Sequence, residues 1–329
     1  MNLDEKKAWL ELYNLADEAY EYSPWEYVKE DMFLSFIDEN DKMWYASVLG
    51  NNKKFYGILF IEEKDINRYL NIYKNNYSNI QTFNYQVGLM VSFVDKKNLK
   101  DDELHLLKEL GINFSKIAIK FQKFERGYMP YMIKFFDVLN FSYLFKNFMV
   151  IFKHLKNKNI LLPNDGEMLS RFYLKDENLY KTANIKFFKK EEIYDKVLVD
   201  DFKLISKSKP IDIEFEFINY LPIAIGNNYE DGKYKLDKFF AIADASNNKM
   251  LKIEIIDTSK YKNELEYNKD AINKLIEFIN NNFIPRRIIV RDLYSYNLLK
   301  DFERISKIEL KIDKIRVIDI FIDSFLKGK

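Results

Sequence analysis

Apolar side chains at Trp9, Leu12, Tyr13, Ala16, Ala19 and Tyr20 recur at the three-and-four spacing of one helix face, so the chain opens on an amphipathic helix that Ser23-Pro24 must end. The period then changes. Runs at 33–37, 43–49 and 55–61 read as strands, with Asn51-Asn52 as the polar turn of a hairpin between the second and third. A helix is expected at 64–73 and a near-continuous apolar strand at 87–94. A second helix at 101–110 has acids in its first turn and Gly111 where a C-terminal cap belongs. Residues 117–121 suit another strand. Pro130 can start a helix, and 131–154 reads as one long helical segment broken near Asn140.

Pro163-Asn164-Asp165-Gly166 has the turn-forming chemistry of a connection, so a linker is placed at 156–170, between an N-terminal α+β domain (1–155) and a C-terminal one (171–329). Strands are expected at 185–188, 213–220, 238–243 and 250–256, and the alternation Ile213-Glu214-Phe215-Glu216-Phe217 suits a sheet with one wet face. Ala271, Ile272, Leu275, Ile276 and Ile279 mark a helix that stops before Pro285. A strand at 287–291, a helix at 294–302, a strand at 308–312 and a last helix carrying Ile315, Ile318, Ile322 and Phe325 complete the chain. The fold class is α+β, with two similar halves, each a β-meander followed by alternating helices and strands, joined by a helical segment and a polar linker.

The similarity of the halves shows in the sequence itself. Asn51-Asn52-Lys53 recurs 196 residues on as Asn247-Asn248-Lys249, and Asp95, which closes one apolar strand, recurs 197 residues on as Asp292. That near-constant offset is the signature of an internal duplication, with the second domain a pseudo-repeat of the first.

Pro24-Trp25-Glu26-Tyr27, Val91-Ser92-Phe93-Val94-Asp95, Leu107-Lys108-Glu109-Leu110-Gly111 and Gly127-Tyr128-Met129-Pro130-Tyr131 give the first half a resemblance to a bacterial family of domains of unknown function. Members often sit in proteins that also carry a domain named after a plasmid open reading frame. Tyr131 stands where that family leads one to expect tryptophan. Pro285-Arg286-Arg287-Ile288-Ile289-Val290-Arg291-Asp292 and the elements after it resemble a second uncharacterised bacterial domain that commonly follows the first. The resemblance implies a fold and a domain order, with no reaction, cofactor or catalytic residue. Pro24, Trp25, Asp95, Gly127 and Pro130 are read as structural, with the Trp25 indole packed between the first helix and the first sheet.

Composition narrows the chemistry. In 329 residues there are 52 lysines and arginines against 51 aspartates and glutamates, so the net charge of +1 gives no global pull toward nucleic acid, and such a partner would need a local basic patch. The absence of cysteine removes disulfides, thiolate nucleophiles and cysteine-ligated metal. Charges within 1–8 stand where a signal peptide needs an apolar core, so a cytoplasmic protein is expected. The apolar run at 133–152 is interrupted by Lys134, Asp137, Asn140, Lys146 and Asn147, which favours a buried helix between domains over a membrane span.

Neither a glycine-rich phosphate loop nor a serine nucleophile elbow occurs, and His105 and His154 have the settings of surface or helix-end histidines. Carboxylates remain. Asp292 after a buried-type strand, with Glu309-Leu310-Lys311 on the next, loosely matches the acid plus E-x-K set with which many nucleases hold a divalent metal. An acid in that position is more often the cap of the following helix. Five of eight arginines fall in the last 44 residues, and Arg287 and Arg291 share a strand face beside Arg286, so these three are the candidate binding residues for an anion. Lys153, Lys156, Lys158, Lys186, Lys189 and Lys190 add a basic stretch around the linker. The leading expectation is a non-catalytic cytoplasmic binding or adaptor protein that engages another protein, with no cofactor and no metal. The alternative is a metal-dependent nuclease or nucleic-acid-processing protein using Asp292, Glu309 and Lys311.

Overall fold

The computed structural model describes residues 1–30, 32–37, 42–50, 53, 55–75, 86–157, 167–174, 176–186, 197–219, 229–230 and 232–327. The Asn51-Asn52 turn, residues 163–166, Lys158, Lys189, Lys190 and the side chain of Phe325 lie outside the described residues. The fold is α+β in two compact units, the first reaching Glu192 and the second built on Ile193–Lys329 together with Gly127–Met129.

In the first unit, Asn2 caps α1 (Leu3–Tyr22) by accepting from the Glu5 amide, and Glu5 returns a bond to the Asn2 amide, both at 2.9 Å. Ser23 in the left-handed region then ends the helix before Pro24. The meander follows as β1 (Leu34–Ile37), β2 (Met43–Leu49) and β3 (Tyr56–Glu62), then α2 (Ile66–Asn75) and β4 (Gly88–Asp95). The helix α3 (Asp101–Leu110) is closed by Gly111 at φ 75°, the cap expected there, and leads into β5 (Ile117–Phe124) and β6 (Tyr131–Met132). After α4 (Phe135–Lys156) come β7 (Glu167–Leu174) and β8 (Leu179–Lys186). These strands form one sheet of order β6-β5-β4-β3-β2-β1-β7-β8, antiparallel throughout except that β7 runs parallel to β1. One face buries Leu34, Val48, Ile58, Phe60, Val91 and Phe121 against α1, α3 and α4. The other packs Phe33, Tyr45, Leu59, Ile61 and Met90 on Ile66 and Tyr69 of α2.

Four expectations change here. Residues 131–132 are a strand on β5, because the chain turns back before α4 begins, and α4 runs through Asn140 without a break. By length and composition α4 is one helix apolar enough to cross a membrane, yet Phe141, Phe145, Phe148 and Phe152 are fully buried on α1 and the sheet. It is therefore a core helix of the first unit, not a connector between domains. The polar stretch at 156–170 is likewise followed by more of the first sheet: β7 covers the open edge of β1, which would otherwise present unpaired amides and carbonyls.

The second unit has its own meander, β9 (Asp212–Asn219), β12 (Lys238–Asp244) and β13 (Lys249–Ile256), with a small hairpin of β10 (Tyr229–Glu230) and β11 (Lys233–Tyr234) between the first two. Then come α5 (Glu264–Asn281), β14 (Arg287–Val290), α6 (Leu293–Ser306), β15 (Glu309–Ile312) and α7 (Arg316–Lys327). The sheet order is β13-β12-β9-β14-β15, with β14 and β15 parallel to β9. Ile213, Phe215, Phe217, Phe240, Ile288 and Val290 are buried under α5 and α6. On the opposite face Ile218, Phe239, Ala241 and Ala243 pack against Ile318 and Ile322 of α7.

The two meanders agree strand for strand, and in both a parallel strand lies on the far side of the first one, β7 on β1 and β14 on β9. The matching of Asp95 with Asp292 does not extend to topology. The strand that Asp95 ends, β4, is antiparallel to β3, whereas β14 crosses over to β9 through the 18-residue α5. A parallel neighbour needs such a long crossover, so Val91 and Ile288 occupy non-equivalent positions.

Candidate functional site

The strand-end acids are caps. Asp292 accepts from the Ser295 amide at 2.8 Å and starts α6, and Asp95 accepts from the Lys97 amide at 3.0 Å, a bond that holds its carboxyl below the usual range. Glu309 stands in register with Arg287, five positions before Asp292, which at about 3.3 Å per residue places it roughly 16 Å away along parallel strands. Lys311, in register with Ile289 and ion-paired to Asp313, falls roughly 10 Å short of Asp292 on the same measure. Carboxylates that share one cation must each lie within about 2.6 Å of it, so Asp292 and Glu309 are not brought together for metal chemistry, and Lys311 stands short of Asp292. Among the described residues no group of three or more histidine, cysteine or acidic side chains has that arrangement either. His105 and His154 are exposed on α3 and α4.

The arginines also divide. Arg286 makes a two-pronged bond to Asp212, both distances 2.8 Å, and that bond keeps the carboxyl of Asp212 below its usual value. Arg287 lies 3.3 Å from Glu309. Arg287 and Arg291 share a strand face as expected, but Arg291 is only 7% exposed. Its Nε donates to Glu216 Oε2 at 2.7 Å, and its terminal nitrogens donate to Asp319 of α7 at 2.6 and 3.2 Å. Burial works against its charge, yet Glu216 and Asp319 outweigh burial and raise its basicity.

The face expected to be wet is covered. Glu214 is 3% exposed and Glu216 fully buried, because α7 lies across them. The Glu214 carboxylate accepts from the amides of Arg316, Val317 and Ile318 at 2.9–3.1 Å, filling the helix N-terminus where an external anion would otherwise bind. Burial pushes the Glu216 carboxyl up, Arg291 pulls it back, and Oε1 of Glu216 has no hydrogen-bond partner. Open sheets with parallel strands usually take ligands beyond the carboxyl ends of those strands. In this unit that end is occupied by α7 and the protein's own carboxylates.

The concave site lies at the opposite end, where residues precede β9, β14 and β15. A cavity of about 790 Å³ is formed by 202–204, 208–210, 284–286 and 305–308. Asn280 pins its outer wall, accepting from the Ile205 amide at 2.9 Å and donating to the Lys203 carbonyl at 3.3 Å, and Lys209 donates its amide to the Ile284 carbonyl at 2.9 Å. Lys307, the residue after α6, stands at φ 62° and turns the chain into β15. Phe202, stacked on Phe302, and Leu204, Ile284 and Ile308 give the cavity an apolar floor. Lys203, Lys209, Arg286 and Lys307 line it, and no carboxylate does. Of these four cations only Arg286 is among the candidates that the sequence marks, although Lys207-Ser208-Lys209-Pro210 is a local basic run next to a strand start. Of the lysines around the linker, Lys153 pairs with Glu18, and Lys156 lies over the Tyr22 and Tyr27 rings.

Two family models match the chain, each described as a domain of unknown function: DUF7309 over residues 9–171 and DUF6930 over 201–326. No curated protein and no solved structure matches it.

Proposed function

We propose that this chain, built of two domains for which no activity is known, is a non-catalytic binding protein of the adaptor kind that takes hold of a partner's anionic group in the cavity of its second unit. The observation that carries this reading is the charge of that cavity. Lys203, Lys209 and Lys307 line it, none of them has an ion-pair partner among the described residues, and the apolar floor beneath them suits an amphipathic anion. A volume of about 790 Å³ falls in the range of ordinary ligand sites, roughly 300–1,000 Å³. Asp292, Glu309 and Lys311, the catalytic alternative, have no comparable support, since each is engaged in a cap or an ion pair.

The test is binding of 1-anilinonaphthalene-8-sulfonate, an amphipathic anion that fluoresces in apolar surroundings, to the intact chain and to the triple variant Lys203→Ala, Lys209→Ala, Lys307→Ala. The expected outcome is saturable binding that weakens at least tenfold in the variant and falls as salt rises. Equal binding by both proteins would exclude the cavity as the site.

A further inference from the structure

Resting on that binding reading, we infer that the ligand of the cavity is a phosphate monoester carrying an apolar body. The charge arithmetic selects the head group. Arg286 is neutralised by Asp212, and Lys209 lies over the Phe283 ring at 4.8 Å, leaving Lys203, Lys209 and Lys307 as the cations on the wall that have no carboxylate partner among the described residues. Two helices end at the cavity, α6 at Ser306 and α5 three residues before Ile284, and each C-terminus contributes about half a negative charge. About two positive charges therefore remain. A carboxylate would cancel one of them, whereas a phosphate monoester carries about −1.5 to −2 at neutral pH and cancels both.

The type of cation points the same way. The one planar fork on this wall is spent on Asp212, and what remains are lysine ammonium groups, point charges that can gather round a phosphate from several sides. Ser208 adds a hydroxyl to the lining. A bare phosphate ion would leave most of the cavity and its floor of Phe202, Leu204, Ile284 and Ile308 unfilled, so the body of the ligand is apolar or aromatic.

Displacement of the fluorescent sulfonate from the intact chain tests this, with phenyl phosphate, adenosine monophosphate, benzoate, adenosine and inorganic phosphate as competitors. Phenyl phosphate or adenosine monophosphate should displace it at concentrations at least tenfold lower than benzoate, adenosine or inorganic phosphate. Single changes Lys203→Ala and Lys307→Ala should each weaken that competition about threefold or more, with the melting temperature unchanged because both side chains are at the surface. If benzoate competes as well as phenyl phosphate, or if no phosphorylated competitor acts while the triple variant still loses the sulfonate, the phosphate assignment fails and the binding reading stands. If the sulfonate binds the triple variant as it binds the wild type, both fail.

Discussion

Replacing Arg291 by methionine keeps most of the aliphatic stem and removes the guanidinium, leaving Glu216 fully buried with neither oxygen paired. A lone carboxylate in that position takes up a proton instead of remaining charged. Holding it neutral at pH 7 against an unfolded value near 4.3 costs about 1.36 kcal/mol for each of roughly 2.7 pH units, so the loss relative to the wild type, where Arg291 offsets part of the burial, is at most about 3.7 kcal/mol. Asp319, part-exposed at 39%, adds less than about 1 kcal/mol for its lost partner. The total matches the roughly 3–5 kcal/mol typical of breaking a buried pair from one side. The sign with pH follows from the direction of the shift. Burial raises the folded-state value of Glu216, so the folded variant binds a proton that the unfolded chain releases above about pH 4.3. The loss is present at pH 7 and shrinks toward about 1 kcal/mol at pH 5. Urea unfolding at both pH values, followed by circular dichroism, measures it. Adding Glu216→Leu to the variant should restore most of the stability, because two apolar side chains replace the pair. A deficit under about 1 kcal/mol at pH 7, or one that stays constant down to pH 5, would show that Glu216 is hydrated and that α7 does not seal this face.

Glu214→Ala removes the cap of α7 and should cost about 2 kcal/mol in the same urea assay, with Glu214→Gln falling between it and the wild type. Trp25 packs on Tyr20, Tyr56 and Phe93 at ring distances of 5.7, 4.7 and 5.5 Å, so Trp25→Ala should lower stability by about 3 kcal/mol; an unchanged melting temperature would contradict its role as a wedge between α1 and the sheet. Gly88 and Gly111 both have positive φ, but a Cβ at Gly88 would meet the Phe60 carbonyl oxygen at 2.2 Å, while at Gly111 nothing lies within 4 Å. Gly88→Ala should thus greatly exceed the roughly 1–2 kcal/mol left-handed penalty expected for Gly111→Ala, as thermal melts of the two variants will show.

The order and kind of most elements were written in the chain's own periodicity. The helix of Trp9, Leu12, Tyr13 and Ala16, the two hairpins and the helix closed by Gly111 rest on local signals, side-chain spacing, turn residues and caps, that need no distant partner. Asp292 as a cap was equally legible, since a helix N-terminus lies next to it in sequence. Tertiary structure decided what depends on which strand lies beside which. The alternation around Glu214 and Glu216 announces two faces but cannot say that α7, about a hundred residues on, covers the polar one and supplies amides to Glu214, or that Arg291, just after β14, reaches Glu216. The same recurring asparagine turn gave no sign that β4 joins the far side of its hairpin while β14 returns to β9, because loop and crossover geometry, not strand composition, chooses the edge. Lys203, Lys209 and Lys307 read singly as solvated charges. They come to line one cavity only because the parallel ladder of β9, β14 and β15 brings the three segments before those strands to one end of the sheet, where no carboxylate is in the lining.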